Sequence, residues 1–278
     1  MNTLSNKTGV IAMRKSMGLL ALLLMAVVVL SLAAVTLESR ADDDEDDDGE
    51  GIPFDEAQIF LELNDTDGDL GIHGLVDGDA WKKLEIEGPD GREILAVRGR
   101  GSLGQHGLTE VFFESDEPSF DELPPAEFLP RFPEGEYEFE GKTVEGDELE
   151  STAALTHVLP APPANILISG IPAAENCDAA PLPSVDGNEP VIIKWAPVTQ
   201  SHPTIGRSDP AIEIVGYQVV VEREEPTLLV FNVDLPPSQT EVQVPPQFIA
   251  LGTEFKLEIL VRGASGNRTA VETCFETE

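Results

Sequence analysis

The residues best suited to hold a metal ion lie in one acidic segment, 64–79, with the sequence NDTDGDLGIHGLVDGD. Carboxylates alternate in its first half and return near its end, at Asp65, Asp67, Asp69, Asp77 and Asp79. Hard carboxylate oxygens spaced in this way along a tight loop are ligands that calcium prefers. The segment therefore predicts a calcium-binding loop between two strands, and the alternative is an acidic surface loop that binds no metal.

The spacing does not match an EF-hand. Counted from Asp65, the glycine and the carboxylate that an EF-hand needs at its sixth and twelfth positions are replaced by Leu70 and Val76. His73 lies beside the carboxylates, but one histidine without a second at ligand spacing is a weak signal for a transition metal. We therefore expect either calcium or no cofactor.

Trp81 follows the acidic segment and precedes a predicted strand. An exposed tryptophan at this place would offer a ring on which a sugar could stack. The alternative is a tryptophan buried in the core, which is the commoner fate of so large an apolar ring.

No group of residues predicts catalysis. The chain has 4 His, and no Ser or Cys has a neighbouring base that the sequence reveals. The glycines of a G-x-G-x-x-G motif, Gly99, Gly101 and Gly104, lie between two predicted strands, so we expect a loop without a pyrophosphate-binding helix. The sequence predicts a non-enzymatic protein, and a hydrolase with unidentified catalytic carboxylates is the alternative.

The charge balance excludes one class of partner. The chain has 17 Lys+Arg against 52 Asp+Glu, which gives a net charge of −35. A protein that binds nucleic acid by neutralising phosphates needs the opposite balance. The 24 Gly and 22 Pro leave little room for long helices and favour short strands joined by turns.

Residues 1–41 have the three-part layout of a secretory signal peptide. Lys7, Arg14 and Lys15 precede an uncharged apolar stretch at 17–37, and Ala41 ends a small-residue cleavage pattern. The alternative is an uncleaved anchor, since the stretch is nearly long enough to span a bilayer. We expect an exported protein, secreted, periplasmic or on the cell surface, which contacts a membrane only if this segment is retained.

The next segment, 42–53, contains the run DDDEDDDGEG. Like charges repel and nothing apolar can be buried there, so we expect an acidic disordered segment.

Two tripeptides match the acceptor pattern for N-glycosylation, starting at Asn64 and at Asn267. The pattern matters only if the source of the protein glycosylates asparagine.

Short alternating runs separated by turn signals fill residues 54–159, as in an antiparallel sheet with one solvent-exposed face. The strands AQIFLELN and LTEVFFES are predicted, with a hairpin that turns at 88–91 (GPDG). In a second hairpin Tyr137 and Phe139 alternate with Glu, which places the aromatic rings on one face. We expect a β-sandwich that resembles an immunoglobulin-like region of secreted bacterial proteins of no assigned role.

Residues 160–164 are rich in Pro and Ala and predict a linker to a second domain, 165–278. Trp195 and Tyr217 lie on successive apolar runs of this domain, and 251–255 (LGTEF) precedes a third. These positions resemble the core Trp, the Tyr of the third strand and the Leu-x-Pro-Gly-x-x-Tyr corner of fibronectin type III domains. Phe255 stands in place of the corner Tyr, so the family's hydroxyl is missing there.

The resemblance implies an all-β protein with two tandem β-sandwich domains, the first immunoglobulin-like and the second fibronectin type III-like. In such a topology the two cysteines, Cys177 and Cys274, fall at the same pole of the second sandwich. Because an exported location favours oxidation, we expect a disulfide between them, with two free thiols as the alternative.

Together these features predict a non-enzymatic exported protein that acts as a protein-interaction, adhesion or structural spacer module. Its partner would be a protein or a polysaccharide, with no nucleic acid. An accessory carbohydrate-binding protein, with a sugar site near Trp81, is the alternative function.

Overall fold

A computed structural model describes residues 51–250 and 252–278 of the chain. The predicted signal peptide, 1–41, and most of the predicted acidic segment lie outside these residues, as does Leu251. The described residues belong to one compact unit, Asp48–Glu278. They form strands joined by turns and a few short helices, which confirms the predicted all-β class. None of the helices in the described part of the chain is long and apolar enough to cross a membrane.

The N-terminal half contains six strands, and the predicted strands and hairpins are all found. Its elements are β1 (Glu56–Asn64), β2 (Asp69–Glu87), β3 (Glu93–Arg98), α1 (Gly101–His106), β4 (Leu108–Glu114), α2 (Pro125–Phe128), a 3₁₀ turn (Leu129–Arg131), β5 (Gly135–Thr143) and β6 (Glu148–Leu155). A loop was expected at the G-x-G-x-x-G motif. The structure has the short helix α1 there, between β3 and β4.

One long strand, β2, pairs with four other strands of this half. Its first part, 69–77, pairs with β1 on one side and over 73–77 with β4 on the other. Its second part, 83–87, pairs with β3 and β5. The register shifts between the two parts, and Gly78 lies at the bend, where a Cβ atom would come within 3.0 Å of the Phe54 ring. A single bent strand therefore supplies both layers of the half.

Between these layers lies the core of the N-terminal half. Tyr137 and Phe139 are fully buried, whereas the Glu residues at 136, 138 and 140 are exposed, as the alternation predicts. The Tyr137 hydroxyl donates to the Pro133 carbonyl at 3.1 Å. The aromatic rings of β5 thus close the core while its carboxylates stay in water.

The C-terminal half is built from two packed sheets. Its elements are β7 (Ala164–Ile168), β8 (Ile171–Pro172), β9 (Ser184–Val185), β10 (Val191–Ala196), β11 (Ile214–Arg223), β12 (Leu229–Leu235), β13 (Glu241–Val244), α3 (Pro246–Ile249), β14 (Glu254–Gly263) and β15 (Arg268–Thr277). One sheet has the order β13-β10-β7-β8, and the other contains β12-β11-β14-β15. This order is fibronectin type III-like, as the sequence resemblance implies.

An aromatic pair forms the centre of the second core. Trp195 and Tyr217 are almost fully buried and meet edge to face, with ring centres 5.3 Å apart. The Tyr217 hydroxyl accepts a hydrogen bond from the Val198 N–H at 2.9 Å. Phe255 is buried as well and stacks on Phe275 at 5.2 Å, so the corner position contributes apolar contact in place of the missing hydroxyl.

A Tyr217→Phe variant tests the hydroxyl contact directly. Removing the acceptor leaves the buried Val198 N–H without a partner, so we expect the free energy of unfolding to fall by about 1–3 kcal/mol. Urea titration followed by circular dichroism measures the change. A loss below about 0.5 kcal/mol would contradict the role given to the hydroxyl.

Candidate functional site

The two halves are joined by main-chain hydrogen bonds. Strand β1 lies parallel to β15, with Glu62 opposite Arg268 and Asn64 opposite Ala270. Because β1 also pairs with β2, and β15 with β14, one sheet runs without interruption from β12 in the C-terminal half to β6 in the N-terminal half. We call this contact between β1 and β15, with the side chains that surround it, the junction.

Beyond the paired residues, the turn after β1 extends the ladder. The Asp65 N–H donates to the Ala270 carbonyl at 2.9 Å. The Thr66 hydroxyl then accepts from the Glu272 N–H at 2.8 Å and donates to its carbonyl at 3.3 Å. A side chain therefore continues the pairing where the main chain of β1 has turned away.

Asn267 is the central polar residue of the junction. Its side chain is fully buried, and its Oδ1 accepts from the Leu61 N–H at 2.8 Å. Its Nδ2 donates to the carbonyls of Thr156 and Val158, at 2.7 and 2.9 Å. One amide therefore satisfies three main-chain groups of the N-terminal half and the segment that follows it. Asn267 matches the N-glycosylation pattern, but its burial leaves no access to its nitrogen.

The predicted linker, 160–164, also contacts the C-terminal half. The Thr269 hydroxyl donates to the Pro160 carbonyl at 2.8 Å, and the Ala161 N–H donates to the Gln200 carbonyl at 2.8 Å. Side-chain and main-chain bonds thus hold this segment against the second half.

A histidine links the halves at another point. His202 is buried, and its Nδ1 accepts from the Ile205 N–H at 2.9 Å. Because Nδ1 is an acceptor, Nε2 carries the ring hydrogen and donates to the Asp65 Oδ1 at 3.0 Å. Asp65, a predicted calcium ligand, is thus engaged in the junction.

On the outer side, Arg268 covers the junction. Its side chain is buried, with the guanidinium carbon 3.9 Å from the centre of the Phe60 ring and Nη1 3.5 Å from the Glu62 Oε2. The Phe60 ring lies 5.3 Å from the His73 ring, and the His73 Nε2 is 2.8 Å from the Glu117 Oε1. A cation–π contact and an aromatic pair therefore pack over this side of the junction.

Carboxylates crowd the same outer face. Glu258 on β14 lies directly opposite Glu272 on β15. Burial, together with the negative charges of Glu62 and Glu272, raises the pKa of Glu258 to about 8. The Lys256 Nζ lies 2.7 Å from the Glu272 Oε2 and offsets part of the repulsion. At neutral pH the Glu258 carboxyl is therefore largely protonated.

The structure does not bring the five predicted calcium ligands together. Asp65 and Asp67 lie in a four-residue turn, and Asp69 begins β2, so most of the expected loop 64–79 is strand instead. Asp77 follows eight positions later on the extended strand, about 26 Å away at roughly 3.3 Å per residue. Asp79 lies past it, at the bend.

Of the five carboxylates, those of Asp67 and Asp69 lie near enough to interact. Burial and then the charges of Glu117 and Asp67 raise the pKa of Asp69 to about 7. Across residues 51–250 and 252–278, no group of three or more His, Cys, Asp or Glu side chains is placed to hold a metal. Calcium binding by the acidic segment stays a prediction.

Trp81 lies in the core. Its side chain has no exposed surface, and its Nε1 donates to the Thr109 carbonyl at 3.3 Å. The prediction that the ring stacks on a sugar is wrong, because the layers of the N-terminal half enclose it. Trp81 is a buried core residue, which was the alternative.

The expected disulfide between Cys177 and Cys274 is present. Its closed loop spans a sequence separation of 97, for which the chain-entropy view gives a stabilisation of about 4–5 kcal/mol. The bond attaches the segment between β8 and β9 to β15.

Two of the polar contacts that join the halves, those of Asn267 and of His202, are not predicted by the sequence. Asn267 matches an N-glycosylation pattern, which gives no indication of its bonds to β1. His202 has no distinguishing neighbours, and its partner Asp65 precedes it by 137 positions. No local signal in the sequence identifies either contact.

No protein family matches the chain, and none of the curated proteins matches it. Among solved structures it is similar to the FN1–FN3 domains of chicken CNTN1, with 10% identity over 82% of this chain and 69% of that one and a TM-score of 0.31. A two-domain fibronectin type III segment of chicken tenascin is 12% identical over 80% of this chain and 98% of that one, with a TM-score of 0.28. The third is a structure from work on host cell surface retention of a 1.5-MDa bacterial ice-binding adhesin, at 12% identity, 82% and 66% coverage and a TM-score of 0.24. The assignment of the fold rests on the strand order and register.

An Asn267→Asp variant tests the central amide. The carboxylate would be buried without a positive partner and would face two carbonyls that have lost their donor, so we expect a loss of about 3–5 kcal/mol in the free energy of unfolding. Asn176→Asp is the matched control, because Asn176 only accepts a bond, from the Asp178 N–H, which a carboxylate retains. Equal urea midpoints for the two variants would contradict the role of Asn267.

The raised pKa values of Glu258 and Asp69 predict a pH dependence with an unusual sign. Between about pH 4 and pH 8 the folded state binds protons that the unfolded state has released, so stability falls as the pH rises through this window. We expect the thermal midpoint to decrease from pH 6 to pH 9, and Glu258→Gln to reduce that decrease.

Glu138→Gln is the control for this experiment, because it removes one negative charge from the exposed face of β5. It should leave the slope of midpoint against pH close to that of the unaltered protein. An identical slope in all three proteins would contradict the contribution of Glu258.

Proposed function

We propose that the chain is a non-enzymatic, exported β-sandwich protein that acts as a rigid structural spacer. The observation that carries the proposal is the junction, where β1 and β15 share a sheet. Domains joined only by a flexible linker move relative to one another. A shared ladder with a buried amide at its centre opposes such motion, as a spacer requires.

The bonds of the junction lie on several elements. Asn267 bonds the start of β15 to β1 and to the segment after β6, whereas His202 contacts the turn after β1. The Arg207 Nε lies 3.1 Å from the Glu134 Oε1, which adds an exposed ion pair. Because these contacts are spread over separate elements, rotation about one of them would break the others.

An exported location agrees with the chemistry of the chain. The disulfide between Cys177 and Cys274 is of a kind that persists in oxidising compartments. The charge of −35 favours solubility and opposes binding to nucleic acid.

The cysteines and the buried histidines all have partners within the fold, which supports a structural role. Both cysteines are consumed by the disulfide. The buried histidines His73 and His202 each contact a carboxylate, Glu117 and Asp65, within the folded scaffold. These groups serve packing and attachment.

A distance measurement between the halves tests the proposed rigidity. Spin labels carried by non-natural amino acids at Leu103 and Ser238, which are both exposed, report on one half each. Double electron–electron resonance should give one narrow distance distribution, and Asn267→Asp should broaden it. A broad distribution in the unaltered protein would refute the spacer role.

A further inference from the structure

Strand β4 (Leu108–Glu114) lies at an edge of the large sheet. It pairs with β2, and within the described part of the chain no other strand pairs with it. None of the residues of this strand is buried. The side of β4 that faces away from β2 therefore presents main-chain groups to solvent.

The hydrogen bond that follows β4 fixes which of its main-chain groups face outwards. The Ser115 N–H donates to the Ile72 carbonyl of β2 at 2.9 Å. Bonded and non-bonded pairs alternate along an antiparallel ladder, so every second residue before Ser115 also bonds to β2. The N–H and C=O groups of the residues between them point away from β2. These outward-facing residues are Glu110, Phe112 and Glu114.

The side chains of the same three residues share one face of the strand, since successive side chains of a strand alternate between faces. Phe112 is 37% exposed and lies between the carboxylates of Glu110 and Glu114. Glu110 is opposite Asp77 on β2, and Asp77 is opposite Glu56 on β1. The edge therefore combines unpaired main-chain groups, an exposed aromatic ring and several carboxylates.

These four carboxylates lack a positive partner. No basic side chain among the described residues forms an ion pair with any of them. Burial, and then the charges of Asp77 and Glu110, raise the pKa of Glu56. Burial, and then the charge of Glu117, raise the pKa of Glu114. A cation placed beside this edge would therefore stabilise the charged form of these groups.

We propose that the outer side of β4 docks a basic peptide segment, which adds to the sheet as an antiparallel strand. The segment carries Lys or Arg opposite Glu110 and Glu114 and an apolar side chain opposite Phe112. Main-chain hydrogen bonds provide the attachment, and the alternate side chains select the sequence. A structural spacer needs no such site, so this docking edge goes beyond the proposed function.

Charge disfavours two other occupants of the edge. A second copy of β4, added antiparallel about Phe112, would place Glu110 opposite Glu114, and like charges directly opposite each other destabilise a sheet. Segment 42–53 of this chain contains the run DDDEDDDGEG, which has the same sign as the edge. Charged side chains on an exposed edge oppose pairing with unwanted strands, and carboxylates leave a basic strand as the favoured partner.

Fluorescence anisotropy of a labelled peptide tests the docking. The probe is Ser-Thr-Lys-Thr-Val-Thr-Lys-Thr-Ser, and the protein is the full chain. At low salt we expect saturable binding with a dissociation constant below about 1 mM, which weakens as the salt concentration rises. The same peptide with Glu in place of both Lys should not bind. Absence of saturable binding, or equal binding of the two peptides, would overturn the proposal.

A Glu110→Gln, Glu114→Gln variant locates the site. Because it removes both charge pairs, the dissociation constant should rise about five- to tenfold. Glu136→Gln, Glu138→Gln is the matched control, since it removes the same charge from the exposed face of β5. That variant should change the dissociation constant less than about twofold. Equal losses in the two variants would overturn the proposal, because the peptide would then respond only to the overall negative charge.

Amide hydrogen exchange, measured for single residues by NMR, tests the strand addition. In the free protein the Phe112 N–H should exchange faster than those of Val111 and Phe113, which bond to β2. The peptide should slow exchange at Phe112 at least about tenfold. Slow exchange at Phe112 in the free protein would show that the edge is already occupied and would overturn the proposal. Binding without slower exchange at Phe112 would overturn it as well.

Methylated peptides test the main-chain bonds without altering the protein. N-methylation of the peptide Val removes the donor opposite Phe112 and should weaken binding. N-methylation of the Thr that precedes this Val is the matched control, because that N–H points away from β4 in antiparallel pairing. Equal affinity of the two methylated peptides would contradict strand addition.

Discussion

The buried amide of Asn267 is the interaction on which the arrangement of the two halves depends. It lies where β15 begins, and it satisfies the Leu61 N–H of β1 and two carbonyls of the chain that connects the halves. A buried polar group without partners costs about 1–3 kcal/mol, so each bond is costly to lose. The amide bonds β1 next to the place where β1 pairs with β15, which couples the packing of one half to that of the other.

The surroundings of the junction combine stabilising and destabilising contacts. The stack of Arg268 on Phe60 excludes water, whereas Glu258 and Glu272 place carboxylates directly opposite each other. Like charges in such a cross-strand pair oppose folding. Burial, and then the charges of Glu62 and Glu272, raise the pKa of Glu258, and its protonation relieves the repulsion.

Much of the fold could be predicted from the sequence, because alternation and turn residues are local signals. The burial of Tyr137 and Phe139 follows from period-two patterning, and the strand order of the second half agrees with the positions of Trp195 and Tyr217. The pairing of β1 with β15 joins residues about 206 positions apart, and no periodicity specifies such a partner. The start of β2 at Asp69 could not be predicted either, since alternating Asp residues suit both a metal loop and the start of a strand.

The most direct test of the account is whether the two halves unfold as one unit. The chain has 2 Trp, and each half buries one, Trp81 and Trp195. In Trp81→Phe and Trp195→Phe variants a single fluorophore remains, and its urea transition can be compared with the circular dichroism transition of the same variant. The account predicts that fluorescence and circular dichroism coincide in both variants, as in a single cooperative transition. Separate midpoints, with one half unfolding while the other persists, would contradict it.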